Sequence, residues 1–289
     1  MKVLFSLLLT ILTSVGFTQT TLLKQAIIST TTNVIAPEEE DVQNIQNQGQ
    51  QGGMNFRNMM DGETKFVTYL KNDLVKTQIK SEMGRSTIFR DNNKKTTTTI
   101  MEMMGNKTGF FITDEEQADM QKKRDSMMRE RRAKDTANKR DPQQFNNNPE
   151  VTVSFTTDTK KIAGYTCKKA FVITSRFLGR KDTAIVWYTP EFTLQNLAST
   201  GSFSGMGMMG NMLGASLGGL DKIEGFVMRY EMKIPRGRRM EVEVTKVDLK
   251  ANILDKEFET PKDIEIKPMK EMQNMFGGGR GGMMRMPRD

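Results

Sequence analysis

The sequence predicts a mainly β protein built around an antiparallel sheet, with a little α-helix and long polar segments. Short stretches rich in β-branched and aromatic residues recur from Thr64 onward, and turn residues separate them. Residues 226–234 alternate apolar and polar side chains, as a half-buried antiparallel strand does. The hydrophobic fraction of 36% is low for a packed globule, so we expect part of the chain to lie outside the core.

The first 19 residues are typical of a secretory signal peptide. Lys2 precedes an apolar run at 3–12, and small and polar residues follow that run. The run is too short to span about 30 Å of hydrocarbon, and no later run is long enough. We therefore expect an exported protein, periplasmic or associated with the cell envelope, with its signal peptide removed and no transmembrane segment.

The rest of the chain is expected to contain one β-rich domain. Residues 20–61 are predicted to be a low-complexity N-terminal linker, because Gln, Asn and Gly dominate 44–55 without a hydrophobic period. The domain itself is predicted at 62–267. A charged insertion at 114–149, either an exposed helix or a disordered segment, interrupts it. A disordered tail rich in Gly, Met and Arg is predicted at 268–289.

The strands of this domain are predicted in two groups, one on each side of the insertion. The first group is 65–70, 74–80, 86–91, 94–103 and 108–113, and the second is 151–155, 165–173, 183–188, 226–234 and 240–250. Gly164 is expected to form the turn that precedes the strand at 165–173. In the last strand the apolar positions shift from Val244 to Val247, which predicts a β-bulge near Lys246.

Motifs for catalysis are missing from the sequence. The chain has no histidine, which removes the usual general base and the commonest zinc ligand. It also has no phosphate-binding loop, dinucleotide fingerprint or paired-cysteine metal motif. We therefore expect a protein that is not an enzyme and that has no cofactor or metal.

A single cysteine, Cys167, lies in the strand at 165–173 and cannot form an internal disulfide. The position favours a small buried apolar residue, with intermolecular pairing as the alternative. The net charge of +8 suits anionic surfaces, and export argues against nucleic acid as the partner. The neighbouring Lys160, Lys161, Lys168 and Lys169 are expected to form a solvated rim.

Residues 201–220 are predicted to form a lid over one face of the sheet. The segment contains seven glycines, and Met209, Leu213 and Leu217 recur at helical spacing, so it is apolar enough to dock and flexible enough to undock. We expect these three side chains to face the sheet opposite Trp187 and Tyr230. The full predicted ligand and lid set is Trp187, Tyr188, Phe203, Met206, Met209, Met212, Leu213, Leu217 and Tyr230.

Four stretches together resemble an uncharacterised, GLPGLI-like family of exported bacterial envelope proteins. They are KKIAGYTCKKAFV, TAIVWYTPEF, IEGFVMRYEM and LDKEFETPKDIEI. The last stretch is also similar to the end of LolA-like lipoprotein carriers. The resemblance implies a LolA-like half-barrel, in which a curved antiparallel sheet and a helical lid surround an apolar cavity. It implies no activity.

Three hypotheses for function follow. The leading one is a non-catalytic binding protein that holds a lipid, an acyl chain, a lipidated protein or another apolar partner in the concave face. The second is an envelope scaffold whose basic segments bind anionic surfaces. The third is a Cu(I) binder that uses the thioethers of Met206, Met208, Met209 and Met212. The sequence leaves the ligand and the oligomeric state open.

Overall fold

A computed structural model describes residues 20–35, 62–82, 84–103, 105–136, 150–175, 181–194, 219–234 and 237–271. Within these ranges the chain is mainly β. The strands are β1 Thr21–Leu23, β2 Gln25–Ile35, β3 Gly62–Lys71, β4 Leu74–Ser81, β5 Gly84–Asp91, β6 Thr96–Met103, β7 Asn106–Thr113, β8 Glu150–Ile162, β9 Tyr165–Ser175, β10 Lys181–Thr189, β11 Phe192–Leu194, β12 Phe226–Lys233, β13 Arg239–Asp248 and β14 Ile266–Pro268. One α-helix, α1, spans Asp114–Thr136, residues 269–271 are also α-helical, and short 3₁₀ helices lie at Leu220–Lys222 and Asp255–Phe258.

Twelve of these strands form one large sheet in the order β14-β7-β6-β5-β4-β3-β2-β13-β12-β10-β9-β8. Neighbouring strands are antiparallel except at one edge, where β14 runs parallel to β7. The sheet is not closed, because β14 and β8 lie at opposite ends of the order. β1 and β11 form a separate parallel pair. The predicted fold class, a mainly β protein with a large antiparallel sheet, is confirmed.

Local sequence signals account for most of this sheet. The ten predicted strands all form. Most of their ends differ by three residues or fewer, but β8 continues seven residues beyond its predicted end at 155. The β8–β9 hairpin turns at Ala163 and Gly164, which have φ values of 47° and 89°, so a two-residue turn with positive φ joins the strands. The register between β13 and β2 shifts between Val244 and Lys246. The predicted bulge near Lys246 is therefore confirmed.

The predicted linker at 20–61 is wrong over its first part. Residues 25–35 form β2, which pairs with β13 on one side and β3 on the other. Ala26, Ile28 and Val34 are buried, and Thr30 and Thr32 are buried between them. The burial of every second residue is typical of a strand. The threonines favour a strand as well, because branching at Cβ suits the pleated sheet. The remaining linker residues, 36–61, lie outside the described ranges.

Cross-strand partners define the two faces of the sheet. We call one the Tyr230 face, after the row Thr64, Thr32, Val242, Tyr230, Val186 and Ala170. The other is the Arg229 face, after the row Lys65, Thr31, Glu243, Arg229, Trp187 and Lys169. Paired residues in an antiparallel sheet point to the same side, so each row belongs to one face.

The Tyr230 face has an apolar half and a hydroxyl-rich half. Over β9 to β13 its buried side chains are apolar and include Ala170, Val172, Ala184, Val186, Tyr188, Tyr230, Met232, Met240 and Val242. Over β2 to β6 many of its buried side chains are threonines, namely Thr30, Thr32, Thr64, Thr68, Thr77 and Thr99. The Oγ1 atoms of Thr68 and Thr77 lie 3.3 Å apart and share a hydrogen bond.

The charged insertion begins with a helix. Thr113 caps α1, because its Oγ1 accepts a hydrogen bond from the Glu116 backbone N–H while its own N–H donates to the Glu116 carboxylate. The 23 residues of α1 extend about 35 Å. The helix alternative is confirmed for 114–136, and most of its side chains whose burial is described, all at or before residue 130, are exposed. Among the described residues, no helix combines the length and apolar character needed to cross a bilayer.

After β13 the chain crosses the Arg229 face and then forms β14 beside β7. We call residues 249–268 the strap. Gln25 donates a hydrogen bond to the Ala251 carbonyl, and the Lys71 ammonium donates to the Ile253 carbonyl at 2.8 Å. Ile253 itself is buried. Successive strands of the sheet thus hold the strap in place.

Candidate functional site: a groove beneath the strap

A groove lies between the strap and strands β4 to β7. It has a volume of about 720 Å³. Its walls come from two parts of the chain. The sheet supplies Leu74, Val75, Phe89, Arg90, Asp91, Lys94, Thr96, Thr98 and Phe111, and the strap supplies Phe258, Glu259, Thr260, Lys262 and Ile266.

One end of the groove is apolar. Phe89, Thr98 and Phe111 are cross-strand neighbours on β5, β6 and β7, so their side chains stand in a row on the Arg229 face. Phe258 and Ile266 line the groove from the strap side and are only half-buried. This end therefore offers unfilled apolar contact to a guest molecule.

The other end of the groove is polar and opens into an adjoining groove of about 510 Å³. We call this end the mouth. It is formed by the β3–β4 turn, the β5–β6 turn and the first turn of the strap 3₁₀ helix. Its lining residues are Lys71, Asn72, Asp73, Leu74, Asp91, Asn93, Lys94 and Asp255, and three of them, Leu74, Asp91 and Lys94, also line the larger groove.

Asp91 shapes the β5–β6 turn and holds a charge at the mouth. Its carboxylate accepts hydrogen bonds from the backbone N–H groups of Asn93 at 3.0 Å and Lys94 at 2.9 Å. Burial alone would raise the pKa of Asp91, but these hydrogen bonds and the nearby Lys94 ammonium together lower it. Asp91 is therefore a carboxylate at neutral pH.

An ion pair fixes the neighbouring Arg90. Its guanidinium binds both carboxylate oxygens of Asp114 at the start of α1, with a distance of 2.8 Å for the Nη2–Oδ2 pair. The same guanidinium donates to the Asn92 side chain at 2.8 Å. The hydrogen bond from Arg90 lowers the pKa of Asp114. Arg90 is therefore committed to joining α1 to the sheet.

Lys76 ties the strap to the sheet beside the apolar end. Its ammonium lies 2.9 Å from the Glu257 carboxylate, and 5.3 Å and 5.8 Å from the ring centres of Tyr69 and Phe89. A second ion pair joins Lys71 to Asp255 at 2.7 Å. The strap is thus held over the groove mainly by polar contacts.

Of the three described members of the predicted site, Tyr188 and Tyr230 come together and Trp187 does not. Tyr188 and Tyr230 belong to one packed cluster, in which Tyr230 is 0% exposed. Trp187 pairs with Arg229 and so lies on the opposite face from Tyr230. The predicted lid at 201–220, with Phe203, Met206, Met208, Met209, Met212, Leu213 and Leu217, lies outside the described residues apart from its last two positions.

Trp187 instead contacts two of the four lysines that were predicted to form a solvated rim. The ammonium of Lys160 lies 4.5 Å from the indole ring centre and that of Lys169 lies 5.8 Å from it. Burial lowers the pKa of Lys160, and the charge of Arg229 lowers it further. The rim prediction is wrong for these two residues and holds for Lys161 and Lys168, which are exposed.

Cys167 is fully buried, which confirms the prediction of a small core residue. Burial raises the pKa of its thiol to about 11. In the part of the chain that the structure describes, no group of three Asp, Glu or Cys side chains is arranged to hold a metal ion.

Comparison with known proteins does not assign the chain to a family. No protein-family model matches it, and no curated protein matches it significantly. A solved structure of PNGF-II aligns over 87% of this chain with 14% sequence identity and a TM-score of 0.34. The alignment covers 33% of the PNGF-II chain, so this chain spans about a third of its length.

Sequence reasoning missed the groove because its two walls are distant in the chain. Lys76 and Glu257 are separated by 181 positions. The available signal was the closing stretch LDKEFETPKDIEI, in which Phe258 and Ile266 stand among charged residues. An isolated phenylalanine in such a stretch indicates a contact, but not which strands it contacts.

Proposed function

We propose that this protein is an exported envelope protein that binds an amphiphilic lipid, with the acyl chain in the groove beneath the strap. The observation that carries the proposal is the apolar end formed by Phe89, Phe111 and Phe258 in one groove, next to a charged mouth whose groove shares Leu74, Asp91 and Lys94 with it. Export is supported by the signal-peptide pattern of residues 1–19. The strap groove replaces the Trp187–Tyr230 region as the proposed site.

The size of the groove suits such a ligand. Small-molecule sites usually measure about 300–1,000 Å³, and the volume of about 720 Å³ falls within that range. Burying a methylene group contributes about 0.8 kcal/mol, so an acyl chain with about eight buried methylenes gains about 6 kcal/mol before the cost of association. We therefore expect a dissociation constant in the micromolar range or weaker.

A variant that fills the groove tests the proposal. Thr98 lies between Phe89 and Phe111, and its side chain is half-buried. Thr98→Phe places a ring in the groove while keeping a residue that favours strands. Thr152→Phe makes the same change at an exposed position of β8, outside the groove, and serves as the matched control.

The measurement is titration with N-phenyl-1-naphthylamine, an uncharged probe whose fluorescence rises in apolar sites, followed by displacement with a lysophospholipid. We expect the wild type and Thr152→Phe to bind equally, and Thr98→Phe to bind at least tenfold more weakly. Urea denaturation checks that both variants fold. Equal binding by all three proteins, or no binding by the wild type, would refute the proposal.

A further inference from the structure

We infer that the mouth selects a zwitterionic headgroup, one that carries both a phosphate and an ammonium group. This inference rests on the proposed function, because it concerns the head of the amphiphile whose chain fills the groove. Two ion pairs at the mouth carry it. They join Lys71 to Asp255 at 2.7 Å and Lys94 to Asp91 at 3.4 Å.

In each pair one partner lies inside and the other faces solvent. The Lys94 side chain is 80% exposed while that of Asp91 is 23% exposed. The Asp255 side chain is 84% exposed while that of Lys71 is 27% exposed. Of these four groups, the Lys94 ammonium and the Asp255 carboxylate are therefore the two most accessible to an incoming headgroup.

The inner partners reinforce this arrangement. The Asp91 carboxylate is already bound by two backbone N–H groups, so it remains charged without the Lys94 ammonium. The Lys71 ammonium likewise donates to the Ile253 carbonyl. Lys94 and Asp255 can therefore turn toward a ligand without leaving either inner partner unsatisfied.

A zwitterion complements this mouth better than either single charge does. A phosphate near Lys94 and an ammonium near Asp255 are both attracted. An anionic head gains the Lys94 contact but faces the carboxylates of Asp73, Asp91 and Asp255. At about 4 Å in a water-like dielectric, one unit-charge contact changes affinity about fivefold, so we expect discrimination of that order.

The test compares three amphiphiles that share a dodecyl chain. Dodecylphosphocholine is zwitterionic, while dodecyl phosphate and dodecyltrimethylammonium each carry one half of its head. Each is titrated calorimetrically below its micelle concentration into the full chain at low salt. We expect dodecylphosphocholine to bind about fivefold more tightly than the other two.

Charge reversal at the mouth provides the second arm. Lys94→Glu leaves two exposed carboxylates there, so we expect the preference to move to dodecyltrimethylammonium. Lys80→Glu makes the same change on β4 at an exposed position outside both grooves and should leave the order of affinities unchanged.

The outcomes separate the two proposals. Equal affinities, or tightest binding of dodecyl phosphate, would overturn the headgroup inference and leave the proposed function standing. An unchanged order in Lys94→Glu would also overturn the headgroup inference. If none of the three amphiphiles binds the wild type, the proposed function fails, and the headgroup inference fails with it.

Discussion

The contact between β14 and Gly109 on β7 makes the attachment of the strap testable with a single methyl group. A Cβ atom at Gly109 would lie 2.5 Å from Ile266 Cδ1 and 3.2 Å from Ile264 Cγ2. It would also lie 3.3 Å from the Glu265 carbonyl oxygen. Ordinary carbon contacts are about 3.5–4.0 Å, so Gly109→Ala forces the strap side chains to move.

Two opposing effects set the magnitude. Replacing glycine by alanine stabilises a protein by about 0.4–1 kcal/mol through the unfolded state, where the backbone permits it. Overpacking usually costs about 1–3 kcal/mol. Because two strap side chains and a carbonyl oxygen crowd the new methyl group, we expect overpacking to win and Gly109→Ala to lower the free energy of unfolding by about 1 kcal/mol.

Ile266→Val provides the matched rescue, because valine lacks the Cδ1 atom nearest the new methyl group. Urea denaturation of the wild type, both single variants and the double variant gives a double-mutant cycle. We expect a favourable coupling of about 0.5–1 kcal/mol in the double variant. A stabilised Gly109→Ala protein, or additive effects in the cycle, would show that β14 does not sit against Gly109.

Three further predictions concern single side chains. Native protein should resist alkylation of Cys167 by iodoacetamide at pH 8, because the thiol is buried with a pKa of about 11, and urea-unfolded protein should react fully. Lys76→Met should speed proteolysis within the strap while lowering global stability by about 1 kcal/mol, since the Glu257 ion pair and the contacts of the ammonium with the Tyr69 and Phe89 rings are lost. An unchanged cleavage rate would contradict this. Arg90 lowers the pKa of Asp114 in the folded state. The ion pair between them therefore stabilises the protein above the unfolded pKa of Asp114, and this contribution is lost as pH falls below about 4. In urea titrations, Asp114→Asn should lose less stability than the wild type between pH 7 and pH 3.

The strands were predictable where their signals are local. Alternation with a period of two and turn residues such as Gly164 are read from adjacent positions, and the ten strands so predicted all form. The bulge near Lys246 was predictable for the same reason, since a shift in the apolar register reverses which side chains face the core.

The elements that sequence reasoning missed depend on distant partners. β2 lies next to a Gln- and Asn-rich segment, and that composition outweighed the alternation from Ala26 to Val34. β14 spans three residues and forms by pairing with β7, more than 150 positions earlier in the chain. Short strands of this kind are stabilised by the neighbour they pair with rather than by their own propensity.

The expectation that Trp187 and Tyr230 line one site is wrong, because they lie on opposite faces of the sheet. Trp187 and Tyr230 were both expected to lie opposite the predicted lid at 201–220. Trp187 faces the same side as Arg229, while Tyr230 faces the same side as Val186, so no single ligand on one face touches both. The register between β10 and β12 decides this, because Val186 pairs with Tyr230 and Trp187 with Arg229, and neither strand reveals that pairing alone.

The hydroxyl-rich half of the Tyr230 face gives a physical reason to place an acyl chain elsewhere. Burying a hydroxyl group without a hydrogen bond costs about 1–3 kcal/mol in proteins. Among the described residues, Thr32 Oγ1 is already buried without such a bond, and Thr30, Thr64 and Thr99 lie on the same face. A chain of methylenes laid over them would offer no partner to any hydroxyl. Beneath the strap, three phenylalanine rings line the groove beside Thr98, and Asp91 and Lys94 stand at its mouth, where water or a headgroup can reach them. The face that the strap covers thus offers an apolar surface to the acyl chain and charged groups to the headgroup.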